Sequence, residues 1–130
     1  MARARILIAD DEEGVRESLG LILAEDGYAP SFATNGEEAL AKLMGESFDL
    51  ALLDIKMPKL DGMEVLRHLR ERRMEVPVLV LTAYQSVELA KEAVKLGARD
   101  YVPKPFARDQ ILAAVRSALV PSNPRLKPPA

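Results

Sequence analysis

Apolar residues along the chain alternate between short continuous runs and longer segments with helical spacing. Three runs are almost wholly apolar, as expected for strands buried on both faces of a parallel sheet. Another, weaker run carries Pro30, which predicts an edge strand because proline cannot donate a ladder hydrogen bond. With a short run further along, the predicted strands are residues 4–9, 28–33, 50–54, 76–82 and 100–103.

Each run is followed by a segment whose apolar residues recur every three or four positions, the spacing of one helix face. These residues are Val15, Leu19, Ile22 and Leu23; Ala39, Leu40 and Leu43; Leu66 and Leu69; Val87, Ala90 and Val94; and Ile111, Val115 and Leu119. Gly27 and Gly97 stand where left-handed helix ends belong. Five strand–helix repeats predict an α/β fold, a flavodoxin-like three-layer sandwich whose parallel five-stranded sheet has the order 2-1-3-4-5.

Charge and composition narrow the function classes. The chain has 130 residues, of which 48% are apolar and 29% charged, and a net charge of −2. This length suits one domain, and the charge balance gives no sign of a nucleic-acid or membrane-surface binder. The absence of cysteine excludes a disulfide framework, a thiolate metal site and a cysteine nucleophile. The single histidine, His68, lies among arginines in a predicted helix, which favours a solvated face over a zinc site.

The two ends of the chain carry different signals. No apolar run approaches the roughly 18 residues that a membrane span needs. The basic start "MARAR" leads straight into the first strand without a cleavage site, so we expect a cytoplasmic protein. Residues 119–130 hold four prolines and no periodicity. We therefore expect one globular domain over residues 3–118, followed by a linker or a loose end.

Reactive side chains follow the predicted strands. Asp10 and Asp11 follow the first strand, Asp54 and Thr82 end the third and fourth, and Lys104 follows the fifth. Because parallel strands end at the same edge of a sheet, we expect these side chains to lie together. Crowded carboxylates need compensation, and oxygen-only ligands favour Mg²⁺ or Mn²⁺. Carboxylates, a hard cation, a lysine and a hydroxyl are what phosphoryl transfer requires.

Some of these residues also have simpler explanations. Glu12 and Glu13 fit an acidic first helical turn that complements the helix dipole. Thr82 alone would be an ordinary strand residue, and Lys104 alone a surface lysine. The stretch "KLDG" (59–62) predicts a turn into the third helix. Only the predicted gathering of the acids, the threonine and the lysine gives them a common role.

The chain resembles the receiver domain of two-component response regulators. The matching segments are "ILIADDE" (6–12), "LALLDIKMPKLDGMEVLRHLR" (50–70), "VPVLVLTAY" (76–84) and "GARDYVPKPF" (97–106). The stretch "LTAYQSVELAKEAVKLGARDYVPKPF" (81–106) looks most like receivers of nitrogen-regulation-type transcription activators. The resemblance implies that Asp54 is the phosphoacceptor and that Asp10, Asp11, Asp54 and the backbone carbonyl of Lys56 bind Mg²⁺.

The resemblance also implies a conformational switch. Thr82 matches the switch hydroxyl, Tyr101 the switch aromatic, and Lys104 the lysine that pairs with the phosphoryl group. The Lys104–Pro105 bond is implied to be cis. Phosphorylation by a phosphohistidine of a sensor kinase would reshape the face of helix four, strand five and helix five, which is also the candidate homodimer surface. Such a domain catalyses its own phosphorylation and slow dephosphorylation, and is not a turnover enzyme.

Other functions compete with this interpretation. A missing output domain, such as an ATPase with a DNA-binding domain, would make the chain part of a transcription regulator, whereas a stand-alone receiver would act through protein contacts. A haloacid-dehalogenase-type phosphatase needs a second acid two residues after its nucleophile, where this chain has Lys56. A dinucleotide- or flavin-binding module fails because no G-x-G-x-x-G follows the first strand.

Overall fold

The computed structural model describes residues 3–83 and 87–120. Strands and helices alternate throughout, as the apolar pattern predicts. The elements are β1 (Arg5–Ala9), α1 (Glu13–Glu25), β2 (Ala29–Ala33), α2 (Gly36–Gly45), β3 (Leu50–Asp54), α3 (Gly62–Glu71), β4 (Val78–Ala83), α4 (Val87–Lys95), β5 (Asp100–Lys104) and α5 (Arg108–Leu119). Most of the predicted proline-rich tail, residues 121–130, lies outside the described residues.

The five strands form one sheet in the order β2-β1-β3-β4-β5, and every neighbouring pair is parallel. This order confirms the predicted fold. Pro30 lies in β2, at the edge of the sheet, as predicted. All five strands therefore end at the same edge, and the carboxyl ends of β1, β3, β4 and β5 lie side by side there.

The core consists of two apolar layers, one on each face of the sheet. Ile6 and Ile8 pack with buried residues of α1 and α5. Leu7 and Ala9, which point to the other face, pack with buried residues of α2, α3 and α4. Adjacent strand residues enter opposite layers because side chains alternate across a strand. Both faces are covered, which explains why the central strands carry continuous apolar runs.

The predicted face of α4 is correct at Ala90 but wrong at Val94. Val94 of α4 was expected to be buried, but it is 42% exposed. Among residues 88–95 of this helix, Ala90 and Ala93 are buried, with Leu89 packed beside them. Val94 follows Ala93 directly and so projects about 100° further round the helix, away from the sheet. The fully buried residues in the described part of α4 are thus small, and their apolar signal in the sequence is weak.

The helix ends show how local sequence fixes the boundaries. Gly27 and Gly97 adopt φ of +90° and +113°, the left-handed geometry predicted for them. Asp61 caps α3 through a capping box: its carboxylate accepts from the Glu64 N–H, and the Glu64 side chain accepts from the Asp61 N–H. In α5 the N-cap is Ala107, which has no side-chain acceptor. Only the reverse bond is present there, from the Ala107 N–H to Gln110 Oε1 at 3.3 Å.

We expect Ala107→Ser to stabilise the fold. Ala107 is exposed and already has the extended backbone of an N-cap, with φ −91° and ψ 156°. A serine hydroxyl there can accept from a first-turn N–H, which is worth about 1 kcal/mol. Thermal unfolding should show a melting temperature higher by roughly 3–5 °C. Ala113→Ser, at an exposed position inside the same helix, is the control, and an equal rise in that variant would refute the capping explanation.

Candidate functional site

Among the described residues, the buried polar or charged side chains are Asp10, Asp54 and Thr82. Each lies at or just after the carboxyl end of β1, β3 or β4. Lys104, the last residue of β5, reaches the same place with only 18% of its side chain exposed. The predicted gathering of these residues at one edge of the sheet is therefore present in the structure.

Lys104 connects the acids. Its ammonium nitrogen lies 2.8 Å from Asp10 Oδ2, 3.4 Å from Asp54 Oδ2 and 3.6 Å from Glu12 Oε1. The sequence pattern assigns Glu12 to the first turn of α1, where it complements the helix dipole, and does not link it to this site. The run of four acids (residues 10–13) was the signal that could have revealed this contact, because it places the Glu12 carboxylate near the same edge of the sheet. One ammonium shared by three carboxylates leaves negative charge that a bound cation would balance.

Asp10 is held rigidly by the backbone around it. Its Oδ1 accepts from the Glu12 N–H at 3.0 Å, and its N–H donates to the Ala33 carbonyl at 3.1 Å. The half-buried Arg16 donates from Nη1 to the Asp10 carbonyl at 2.9 Å. Sequence reasoning missed Arg16 because a charged residue on a helix is normally assigned to the solvent. Its contact fixes the segment that carries Asp10 and Asp11.

A cavity of about 360 Å³ opens beside these groups. Its lining residues are Asp11, Glu12, Asp54, Ile55, Lys56, Ala83 and Lys104. Asp11 is exposed, and one carboxylate oxygen from each of Asp10, Asp11 and Glu12 lies within 4.8 Å of the others. This cluster offers only hard oxygen ligands, which suit Mg²⁺. Lys56 lines the same cavity, and its role as a carbonyl ligand stays a prediction.

Burial and charge change the acidity of the central pair. Burial raises the pKa of the Asp54 carboxyl from 3.8 to about 6; the charge of Asp10 adds to this rise, and Lys104 opposes it. Burial alone would lower the pKa of the Lys104 ammonium, but the hydrogen bond to Asp10 and the surrounding carboxylates outweigh burial and raise it. At neutral pH Lys104 is therefore charged and Asp54 is mostly ionised.

The two predicted switch residues lie on neighbouring strands. Thr82 is buried, and its hydroxyl donates to the Ala83 carbonyl at 3.2 Å. Tyr101 is half-buried and pairs with Val80, two residues before Thr82. Residues two apart on a strand share a face, so Thr82 and Tyr101 are on the same side of the sheet. Tyr101 packs against the core layer of α2, α3 and α4.

The β3–α3 loop, residues 55–61, holds Lys56 beside Asp54. Its two ends are tied together, because the Gly62 N–H donates to the Ile55 carbonyl at 2.8 Å. A Cβ on Gly62 would lie 2.4 Å from the Asp54 carbonyl oxygen, so only glycine fits. Asp61 and Gly62 thus have the structural role that the "KLDG" turn predicted. The Lys104–Pro105 bond is cis, as implied by the resemblance.

Comparison with known proteins agrees with this geometry. The sequence profile described as "Response regulator receiver domain" matches residues 6–116. Response regulator MprA of Mycolicibacterium vanbaalenii is 44% identical over 120 residues, which are 92% of this chain and 52% of that protein. MprA of Mycobacterium avium is also 44% identical, over 92% of this chain and 53% of its own length. The chain thus spans about half the length of these curated relatives.

Solved structures give the same result. The Francisella response regulator 1452 receiver domain superposes with a TM-score of 0.85 at 32% identity, covering 90% of this chain and 97% of that one. NtrX from Brucella abortus superposes with a TM-score of 0.85 at 31% identity, covering 91% of this chain and 27% of that one. NtrX represents the expected likeness to nitrogen-regulation-type receivers. Within the described residues, no helix is long and apolar enough to cross a bilayer.

Proposed function

Because this chain belongs to the response regulator receiver family, we propose that it accepts a phosphoryl group on Asp54 from a phosphohistidine of a partner histidine kinase. Members of this family are generally signalling domains rather than turnover enzymes, which argues against the phosphatase alternative. The observation that carries the proposal is the position of Asp54: a largely buried carboxylate 3.4 Å from Lys104, on the wall of an acidic cavity.

The chemistry is a direct transfer. An oxygen of the ionised Asp54 forms a new P–O bond while the P–N bond to the kinase imidazole breaks. The electron pair of that bond stays on the imidazole nitrogen, which then takes up a proton. Lys104 pairs with the phosphoryl oxygens, and the Thr82 hydroxyl donates to one of them. Asp10, Asp11, Asp54 and the Lys56 carbonyl would hold Mg²⁺, which supplies neutralisation of the phosphoryl charge when bound.

Phosphorylation then changes the partners of Lys104 and Thr82. The product brings roughly 1.5–2 units of negative charge and three acceptor oxygens to the cavity. Thr82 turns from the Ala83 carbonyl towards the phosphoryl group, and Tyr101 fills the space that Thr82 leaves. The face of α4, β5 and α5 changes shape as a result. We propose this face as the surface for output and for homodimerisation.

The chain matches about half the length of its curated relatives, and we propose that the output lies outside the matched half. We propose residues 3–118 as the receiver and residues 119–130 as a proline-rich linker to an output domain that controls transcription. A stand-alone receiver acting through protein contacts is the alternative. Expression of the full reading frame, followed by limited proteolysis, distinguishes the two, because a linked output domain would be released by cleavage within the linker.

The proposal predicts self-catalysed, Mg²⁺-dependent labelling. Incubation with acetyl phosphate and Mg²⁺ should add the mass of one phosphoryl group, measured on the intact protein. The label should be released by hydroxylamine, because an acyl phosphate is the product, and it should decay slowly by hydrolysis. Omission of Mg²⁺ with added EDTA is the control. Labelling that is equally strong with EDTA, or that resists hydroxylamine, would contradict the proposed chemistry.

A further inference from the structure

Gly36, the first residue of α2, lies far from the acids in sequence but touches the β3–α3 loop. A Cβ built on Gly36 would lie 1.8 Å from the Leu60 carbonyl oxygen and 2.5 Å from its carbonyl carbon. Both are backbone atoms, which cannot rotate away as the end of a side chain can. The start of α2 and the loop are therefore in direct backbone contact, and only a glycine permits it.

The start of α2 is itself fixed. Asn35 caps the helix, accepting from the Glu38 N–H at 2.8 Å, and Glu38 Oε1 accepts from the Thr34 N–H at 3.0 Å. Ala39 and Leu43 then anchor the helix in the core. Gly36 thus presents a rigid surface to the loop. A side chain there would displace the loop more easily than the helix.

The loop transmits such a displacement to the acidic cavity. The close packing of Gly62 against the Asp54 carbonyl and the capping box of Asp61 fix its α3 end. Lys59 has a φ of +71°, a left-handed backbone that a lysine rarely adopts. The segment therefore has little freedom to absorb a shift of Leu60 internally. Leu60 and Lys56 belong to this same short loop, and Lys56 lines the cavity with Asp54.

We propose that Gly36 is a positioning residue for the cation site, because its contact with Leu60 sets where the β3–α3 loop holds Lys56 beside Asp54. This inference rests on the proposed function, in which that site binds Mg²⁺. Gly36 does not touch the cation. It acts through the loop, much as outer-shell groups orient the ligands of a metal.

The test is Mg²⁺ affinity, measured by isothermal titration calorimetry on folded variants. Gly36→Ala should bind Mg²⁺ about tenfold more weakly or worse, the usual effect of losing outer-shell support. Gly45→Ala is the matched control: it lies in the same helix, and a Cβ there meets nothing within 4 Å. We expect the control to stay within about twofold of the unsubstituted protein. A folded Gly36→Ala protein with unchanged affinity would overturn the proposal.

A second measurement uses the unsubstituted protein, in case Gly36→Ala does not fold. In an assigned ¹H–¹⁵N spectrum, the Gly36 amide should shift on addition of Mg²⁺ and the Gly45 amide should not. A titration that moves the Lys56 amide but leaves Gly36 unchanged would overturn the proposal while leaving the proposed function intact. Absence of any Mg²⁺ binding by the unsubstituted protein would overturn the proposed function, and with it this inference.

Discussion

Asp54→Asn should abolish phosphoryl labelling by acetyl phosphate. Asparagine has nearly the same shape and can occupy the same site, but its amide cannot form the acyl phosphate. Asp54 is the acid that combines burial, contact with Lys104 and a place on the cavity wall. Loss of a nucleophile removes the reaction altogether, so the label should fall more than about a hundredfold below that of the unsubstituted protein. Intact-protein mass spectrometry measures the label directly.

The matched control is Asp61→Asn. Asp61 follows the same strand, seven residues along, and its structural duty is to cap α3. Asparagine caps helices as well as aspartate does, so this variant keeps the loop in place. We expect it to label like the unsubstituted protein. If Asp54→Asn retained the label, or if Asp61→Asn lost it, the phosphoacceptor would have to be reassigned.

The sequence predicted the site because the strand ends are visible in it. Continuous apolar runs end at or just before Asp10, Asp54 and Thr82, a shorter run ends just before Lys104, and parallel topology brings such ends together. The sequence could not predict which side chains pair with one another at this edge of the sheet. Lys104 contacts Asp10, Asp54 and Glu12 through side-chain geometry that no spacing encodes.

Two further features were not predicted from the sequence, and both have a physical explanation. The contact of Gly36 with Leu60 joins segments that are distant along the chain, and glycine leaves no apolar signal. The orientation of α4 was missed at Val94 because Ala93, which packs inward instead, is small. In both cases close approach depends on a very small residue, so a pattern of large apolar residues does not reveal it. Strand positions were accurate because they depend on large apolar residues.

Replacing Asp54 should also change the free energy of unfolding. In the absence of divalent cations and above neutral pH, Asp54→Asn should be more stable than the unsubstituted protein. Folding buries an ionised Asp54 near Asp10, which is why the pKa of Asp54 rises from 3.8 to about 6. A shift of this size corresponds to about 1–3 kcal/mol of unfolding free energy, allowing for coupling to Lys104. Asparagine carries no charge and avoids this penalty.

The pH dependence follows from the direction of that shift. The folded protein binds the Asp54 proton more tightly than the unfolded chain, so the contribution of Asp54 to stability is fully present below pH 3.8 and is lost as pH rises through about 6. The advantage of Asp54→Asn should therefore be small near pH 4, grow between about pH 4 and 6, and stay constant above about pH 7. The raised pKa of Lys104 acts only at alkaline pH and leaves this window unchanged.

Urea unfolding in EDTA at several pH values measures this difference, with Glu71→Gln, an exposed acid at the end of α3, as the control for loss of one negative charge. For the control, the difference in unfolding free energy from the unsubstituted protein should not grow comparably with pH.

Added Mg²⁺ should reduce or reverse the stability difference between Asp54→Asn and the unsubstituted protein. A cation bound at the acids favours ionised Asp54 and stabilises the unsubstituted protein by mass action. A gap that is constant from about pH 4 to 8 would mean that burial of the Asp54 charge is not what opposes folding. The pH-dependent gap therefore tests whether the ionised Asp54 that a cation would stabilise is also the group that opposes folding in its absence.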